Sequence, residues 1–267
     1  MNQEVITSSN NLAIKHLKKL LDSAKYRREQ GVAVAESIHL ARSLLHAGID
    51  AEQVICAESA LGNQEVAQLL AQFKLQKRQV LVAKDSLFES ISQIHAAVGI
   101  MVIFQPVVPT LQHNLNTNAL LLEDVQDPGN MGTILRTAAA AGVKKVYLSA
   151  GSASVYSPKV MRAGMGAQFN LEIYENTDLA ELIAKAEILI LATDLDSKSS
   201  LYQTDLSVNV AWLFGSEGRG VSENLLAACS ASVNIPQADD TVESLNVAAA
   251  VAICLFEQRR QSLFKRA

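Results

Sequence analysis

The chain has 267 residues, 49% of them apolar and 19% charged, with a formal net charge of −4. This length predicts two globular domains at about 150 residues each. No apolar run reaches the 18 residues that mark a membrane span, and the opening MNQEVITSSN lacks the basic and apolar regions of a signal peptide.

In chain order, Leu12, Leu17, Leu20, Leu21 and Ala24 keep a helical spacing and predict a single helix over residues 11–30, ended by Gly31. Between positions 15 and 28 lie Lys15, Lys18, Lys19, Lys25, Arg27 and Arg28, with Asp22 alone opposing them. Such a run is either a solvated helix face or a patch for nucleic-acid phosphates. Only Tyr26 is aromatic there, so base stacking is not signalled. A strand at 32–35, a helix at 36–47, a strand at 53–57, a helix at 64–73 and a strand at 80–83 follow. Asp85 caps a short helix, and 98–104 is a further strand. Strands alternating with helices predict an α/β domain.

Residues 105–118, QPVVPTLQHNLNTN, hold two prolines and several amides and read as a linker. The expected boundaries are a first domain at 1–106, a linker at 107–117 and a second domain at 118–267. The second half repeats the alternation. A strand at 119–123 leads through a DPGN turn into a helix at 131–141. Strands follow at 146–149, 171–174, 188–193, 210–214 and 232–235, and a last helix runs from about 244 to 261. Residues 1–110 carry eleven Lys/Arg against ten Asp/Glu, the remainder twelve against seventeen, so any affinity for nucleic acid should sit in the first half. Cys56, Cys229 and Cys254 share no metal-ligand spacing and read as reduced, buried thiols of a cytoplasmic protein.

All five histidines precede residue 118, so a catalytic second half works without the usual neutral-pH base. It holds no phosphate-loop, zinc or calcium motif, and no metal is expected. Three polar clusters remain, each where a strand gives way to a helix. The first is Glu123 to Asn130, with Arg136 on the following helix. As a plain turn and helix cap, DPGN accounts for Asn130. It does not account for Arg136, an arginine among small side chains that calls for a buried phosphate or carboxylate partner. The second is Phe214-Gly215-Ser216-Glu217-Gly218-Arg219-Gly220, whose glycines let backbone amides approach a ligand. Its spacing is not that of the dinucleotide fingerprint. The third is Ile235-Pro236 followed by Glu243-Ser244-Leu245-Asn246, with Ser244 either a ligand contact or an ordinary cap.

Taken in order, DPGNMGTILRTAAAAG, LFGSEGRG and IPQADDTVESLNVAAAVAI resemble the three motifs of the SpoU (TrmH-like) RNA 2′-O-ribose methyltransferases of the SPOUT superfamily. SSNNLAIKHLKKLLDSAKYRREQG and AESIHLARSLLHAG resemble that family's substrate-binding domain, which is itself similar to small ribosomal proteins. The loop Gln237-Ala238-Asp239-Asp240-Thr241 departs from the family in having no glycine, and Glu36-Ser37 stands where Glu-Gly is common. The resemblance implies a small α/β RNA-binding domain followed by an α/β domain with a deep trefoil knot, and a homodimer joined through that second domain. It implies S-adenosyl-L-methionine as cofactor, held by Thr193, Gly215, Ile235, Ser244, Leu245 and Asn246. It assigns catalysis to Arg136, with Glu217 and Asn130 beside it; the basic run of the first domain offers Lys15, Lys18, Lys19, Arg27 and Arg28 as the RNA contacts. The implied substrate is a structured RNA, ribosomal in preference to transfer RNA. Two other readings compete: an RNA-binding protein that keeps the fold without catalysis, and a nucleotide enzyme using the 215–220 glycines.

Overall fold

The computed structural model describes residues 4–94, 99–110, 114–238 and 243–264. The chain divides into two compact units, residues 1–107 with 155–169, and residues 108–154 with 170–267.

The first unit holds β1 (Val5–Ile6), α1 (Leu12–Asp22), α2 (Ala24–Gln30), β2 (Ala33–Glu36), α3 (Ile38–His46), β3 (Ala51–Ala57), α4 (Gln64–Leu75), β4 (Gln79–Ala83), α5 (Asp85–Ile91) and β5 (Ile100–Phe104). Its sheet order is β1-β4-β3-β5-β2, with β1, β4 and β3 parallel and β5 antiparallel to both its neighbours. The single helix expected over 11–30 is two. Ser23 adopts an extended conformation and its hydroxyl accepts from the Tyr26 N–H, so it ends α1 and caps α2. Ser37 has φ 136°, a conformation that favours glycine, and it caps α3 by accepting from the Leu40 N–H. The Glu36-Ser37 departure therefore keeps the turn and gains a cap.

The second unit holds β6 (Ala119–Leu122), α6 (Pro128–Ala141), β7 (Lys145–Leu148), β8 (Glu172–Tyr174), α8 (Leu179–Ala184), β9 (Leu189–Thr193), β10 (Val210–Phe214), α9 (Glu223–Ala228), β11 (Ala231–Val233) and α10 (Val247–Phe264). Helix α7 (Pro158–Gly164) lies in the segment that joins the first unit. The sheet is parallel throughout, in the order β11-β9-β10-β6-β7-β8. Its central strands are buried and apolar, as strands covered on both faces are. The chain builds outward from β6 to β8, then crosses to the other side, so the order reverses between β6 and β10. Helix α10 packs against α6 and is tied to the sheet by a buried polar chain. The Trp212 indole N–H donates to Gln258 Oε1 at 2.9 Å, and Gln258 Nε2 donates to Asn118 Oδ1 at 3.1 Å.

Residues 155–169 correct the expected domain boundaries. Met161 is buried in the core of the first unit, and Tyr156 and Phe169 meet Phe104 edge-on at 6.2 and 5.3 Å. The Arg162 guanidinium donates to the Gln93 carbonyl at 3.1 Å. A local signal for α7 was present: Ser157 caps it and Pro158 opens it. Its destination was not legible, because packing between distant segments leaves no mark in local periodicity.

Candidate active site

All strands of the second sheet point the same way, so the loops after β9, β10, β11 and β6 gather at one edge, beside the reversal of strand order. Open parallel sheets bind ligands at such a place. The β9–β10 ladder stops at the Ala192–Leu213 pair, so Thr193 and Gly215 lie where the two strands part. Gly215 is buried, and among the described residues the backbones of Gly215, Ile235 and Leu245 form no hydrogen bond. Asn234, next to Ile235, has a buried side-chain oxygen without a partner among the described residues. Buried polar groups are nearly always paired, so unused donors and acceptors at adjoining strand ends suit a polar ligand. An adenosyl group with an amino-acid tail matches them in kind.

Asp127, not Asn130, caps α6: its Oδ1 accepts from the Asn130 N–H at 2.7 Å, and Pro128 is the first helical residue. The DPGN segment is thus the first turn of the helix, and the Asn130 side chain is released from capping. Its Nδ2 donates to Glu217 Oε1 at 2.9 Å, and its Oδ1 accepts from Asn246 Nδ2 at 3.0 Å. Asn246, rather than Ser244, caps α10, its Oδ1 accepting from the N–H groups of Ala248 and Ala249 at 2.9 and 3.3 Å. These bonds run in one direction, from the N–H groups of a helix start through two amides to a carboxylate. Aligned chains of this kind polarise one another. Each of the three motifs contributes one residue. The Ser222 N–H also donates to Glu123 Oε2 at 2.8 Å, pinning the β10 loop to the end of β6.

Arg136 differs from expectation. It is exposed on α6 and makes no hydrogen bond or ion pair among the described residues. The buried partner expected for it is absent among the described residues, and Glu217 is engaged by Asn130 instead. The residue six positions after Asn130 is turned well away from it on a 3.6-residue helix. Cys229 and Cys254 offer no nucleophile, since burial pushes their thiols up to about 11 and about 12. No group of side chains able to hold a metal occurs among the described residues. Asp239, Asp240 and Thr241 of the glycine-less loop lie outside them.

In the first unit, Lys15, Lys18, Lys19 and Arg28 are exposed. Arg27 is not: it is 9% exposed, and its guanidinium donates to the Leu20 and Leu21 carbonyls at 2.6 and 3.2 Å. Its expected RNA contact is therefore corrected. Arg27 closes the end of α1, where carbonyls lack helical partners.

A parallel α/β sheet with ligand-competent loops at its carboxyl edge and a polar relay across three motifs defines an enzyme of the α/β class. Residues 117–256 match the SpoU rRNA Methylase family, and residues 11–101 match the MRM3-like substrate binding domain. The chain is 31% identical to an uncharacterized tRNA/rRNA methyltransferase of Synechocystis, over 96% of this chain and 93% of that one. It is 36% identical to the 23S rRNA (guanosine-2′-O-)-methyltransferase RlmB of Haemophilus ducreyi, over 57% of this chain and 63% of that one. An AdoMet-bound rRNA methyltransferase from Sinorhizobium meliloti has the same fold, with a TM-score of 0.85 and 28% identity over 96% of this chain and 97% of that one. The chain belongs to the SpoU rRNA methylase family.

Proposed function

We propose that this protein transfers a methyl group from S-adenosyl-L-methionine to a ribose 2′-hydroxyl of ribosomal RNA, in the cytoplasm. The observation that carries this reading is the directed chain from α10 through Asn246 and Asn130 to Glu217, which a protein that only bound RNA would not need. The relatives and the family to which the chain belongs act on RNA or are named for it. The second unit is the catalytic domain, with the trefoil knot of its family. The passage from β11 at one edge to a helix packed on α6 is compatible with that path.

Bound S-adenosylmethionine supplies an electrophilic methyl on a sulfonium. The chain's residues hold and orient. Backbone groups of Thr193, Gly215, Ile235 and Leu245, with Ser244 and Asn246 beside them, grip the cofactor. Asn130 and Glu217 fix the wall against which the ribose is placed, and alignment supplies much of the acceleration. A guanidinium is a poor base, so Arg136 acts by stabilising the charge that grows on the ribose oxygen. Arg136 performs this role across a homodimer. Helix α6 carries an exposed stripe, Gly129, Thr133, Arg136 and Ala140, and α10, which packs against α6, leaves Phe256 and Leu263 47% and 55% exposed. Large apolar side chains exposed on helices fit burial in a partner.

Calorimetry with S-adenosylhomocysteine and with NAD, in the presence of a chelator, tests the cofactor. Labelled methyl transfer to RNA from cells lacking the protein tests the reaction. Binding of the former ligand, no heat with NAD and label in ribose are expected. Binding of NAD alone would favour the nucleotide enzyme. Homocysteine-adduct binding without transfer would favour a non-catalytic binder.

The exposed lysines give a second expectation. Replacing Lys15, Lys18, Lys19 and Arg28 with Ala weakens RNA binding and lowers the log–log salt slope by roughly one unit per lost phosphate contact. Cofactor affinity stays unchanged. An unaltered salt slope returns this run to a solvated face.

A further inference from the structure

The chain after β10 closes into a hairpin. Ser216 and Gly220 exchange both backbone hydrogen bonds, at 3.1 and 2.9 Å. Glu217 on its tip is held by Asn130, but Arg219 is not comparably held. Its side chain is 80% exposed, and its one ion pair among the described residues is a single 3.6 Å approach to Asp124 Oδ2. Asp124 is the opposite case, a fixed group. Its backbone has φ 52°, uncommon for a residue with a side chain. Its Oδ1 accepts from the Ser149 hydroxyl at 2.7 Å, and its own N–H donates to that hydroxyl at 2.8 Å. A Cβ at Gly151 would fall 2.2 Å from Asp124 Oδ1, so position 151 has no room for a side chain beside this carboxylate.

The Ser149 hydrogen bonds hold Asp124 in place, but the ion pair itself adds little to stability, because a mostly exposed pair at this separation is screened by solvent. Charge gives the pair a reason. Glu123, Asp124, Asp127 and Glu217 crowd the loops at the mouth of the site, which would repel an RNA backbone. Arg219 is the basic side chain carried by those same loops, and a phosphate offers its planar fork two short contacts where Asp124 offers one long one.

We propose that Arg219 receives a backbone phosphate flanking the target nucleotide, and that Asp124 parks the guanidinium until RNA displaces it. This rests on the proposed methyl transfer to RNA. It separates two arginines: Arg219 acts on RNA already in the ground state, whereas Arg136 acts on the charge that develops during transfer. A contact made equally in both states appears in KM and not in kcat.

The test uses full-length protein and total RNA from cells lacking it, with labelled methyl transfer read over a range of RNA and salt concentrations. Arg219→Ala raises KM for RNA about tenfold or more, the usual scale for a hydrogen bond to a charged group. It flattens the salt dependence of kcat/KM by roughly one unit and lowers kcat far less than KM rises. Arg219→Lys keeps the salt dependence, since a point charge still meets a phosphate, but recovers only part of the affinity, since the planar fork is lost. Asp124→Asn frees the guanidinium while keeping the Ser149 bond, and lowers KM below the wild-type value. S-adenosylhomocysteine affinity, unchanged in all three, certifies the fold of the site. An Arg219→Ala protein with wild-type KM and salt slope, or an Asp124→Asn protein with weaker RNA affinity, overturns the inference while leaving methyl transfer standing. Wild-type protein that transfers no label overturns both.

Discussion

Arg136→Ala is expected to lose about a hundredfold or more in turnover, the scale found when one positioned electrostatic group is removed from a developing charge. The side chain is exposed and unpartnered among the described residues, so its loss leaves no orphaned group behind in the same chain. Surface changes of that kind move stability within about 0.5 kcal/mol. Cofactor affinity should hold, because the loops proposed to hold the cofactor follow β9, β10 and β11, whereas Arg136 stands on α6. Arg136→Lys should not restore turnover, because an ammonium lacks the planar fork. Turnover, S-adenosylhomocysteine affinity, melting temperature and oligomeric state measured on one preparation decide the matter. A folded dimer that methylates at the wild-type rate excludes the catalytic role. A protein that falls to monomer and loses activity together shows an interface anchor instead.

Gly215→Ala is expected to have the second large effect, on cofactor binding itself. A Cβ at this position would lie 2.0 Å from the Gly220 carbonyl carbon and oxygen and 2.2 Å from the Val221 nitrogen. Backbone cannot step aside as a side-chain tip can. The hairpin must open, breaking the two Ser216–Gly220 bonds and moving Glu217 away from Asn130. Forcing a methylene into a packed site costs about 1–3 kcal/mol, which corresponds to as much as about a hundredfold in affinity if the site absorbs it. Calorimetry with S-adenosylhomocysteine should register a loss of tenfold or more. Affinity within twofold of wild type would mean that the closed hairpin is not part of the cofactor pocket.

The sequence disclosed the order of elements and the three motif loops because those depend on local period and on glycine and proline. It did not disclose which way side chains on a charged helix face. Lys18, Lys19 and Arg27 belong to one basic run, yet Arg27 turns inward to the α1 carbonyls while the lysines stay in water. Composition cannot separate them, because a long side chain can bury its stem and find carbonyls that only the folded turn presents. Asn130 was read as a cap and Asp127 as part of a turn. Both residue types cap helices, and only the position of Pro128 as first helical residue decides between them. Arg136 was assigned a buried partner on the strength of its small neighbours. Small neighbours equally suit a face reserved for another chain, and within this chain the arginine remains in solvent.

The excursion of residues 155–169 has a consequence for how the protein is made. The first 107 residues leave the ribosome without the piece that packs against β2, the edge strand, and against Phe104. At translation rates of about 5–20 residues per second, roughly 3–10 seconds pass before α7 has been synthesised. During that interval the edge strand β2 lacks the helix that packs against it in the finished unit. The core of the first unit thus gains Met161, and Phe104 gains its two ring contacts, only once a segment encoded beyond three elements of the second unit has been made.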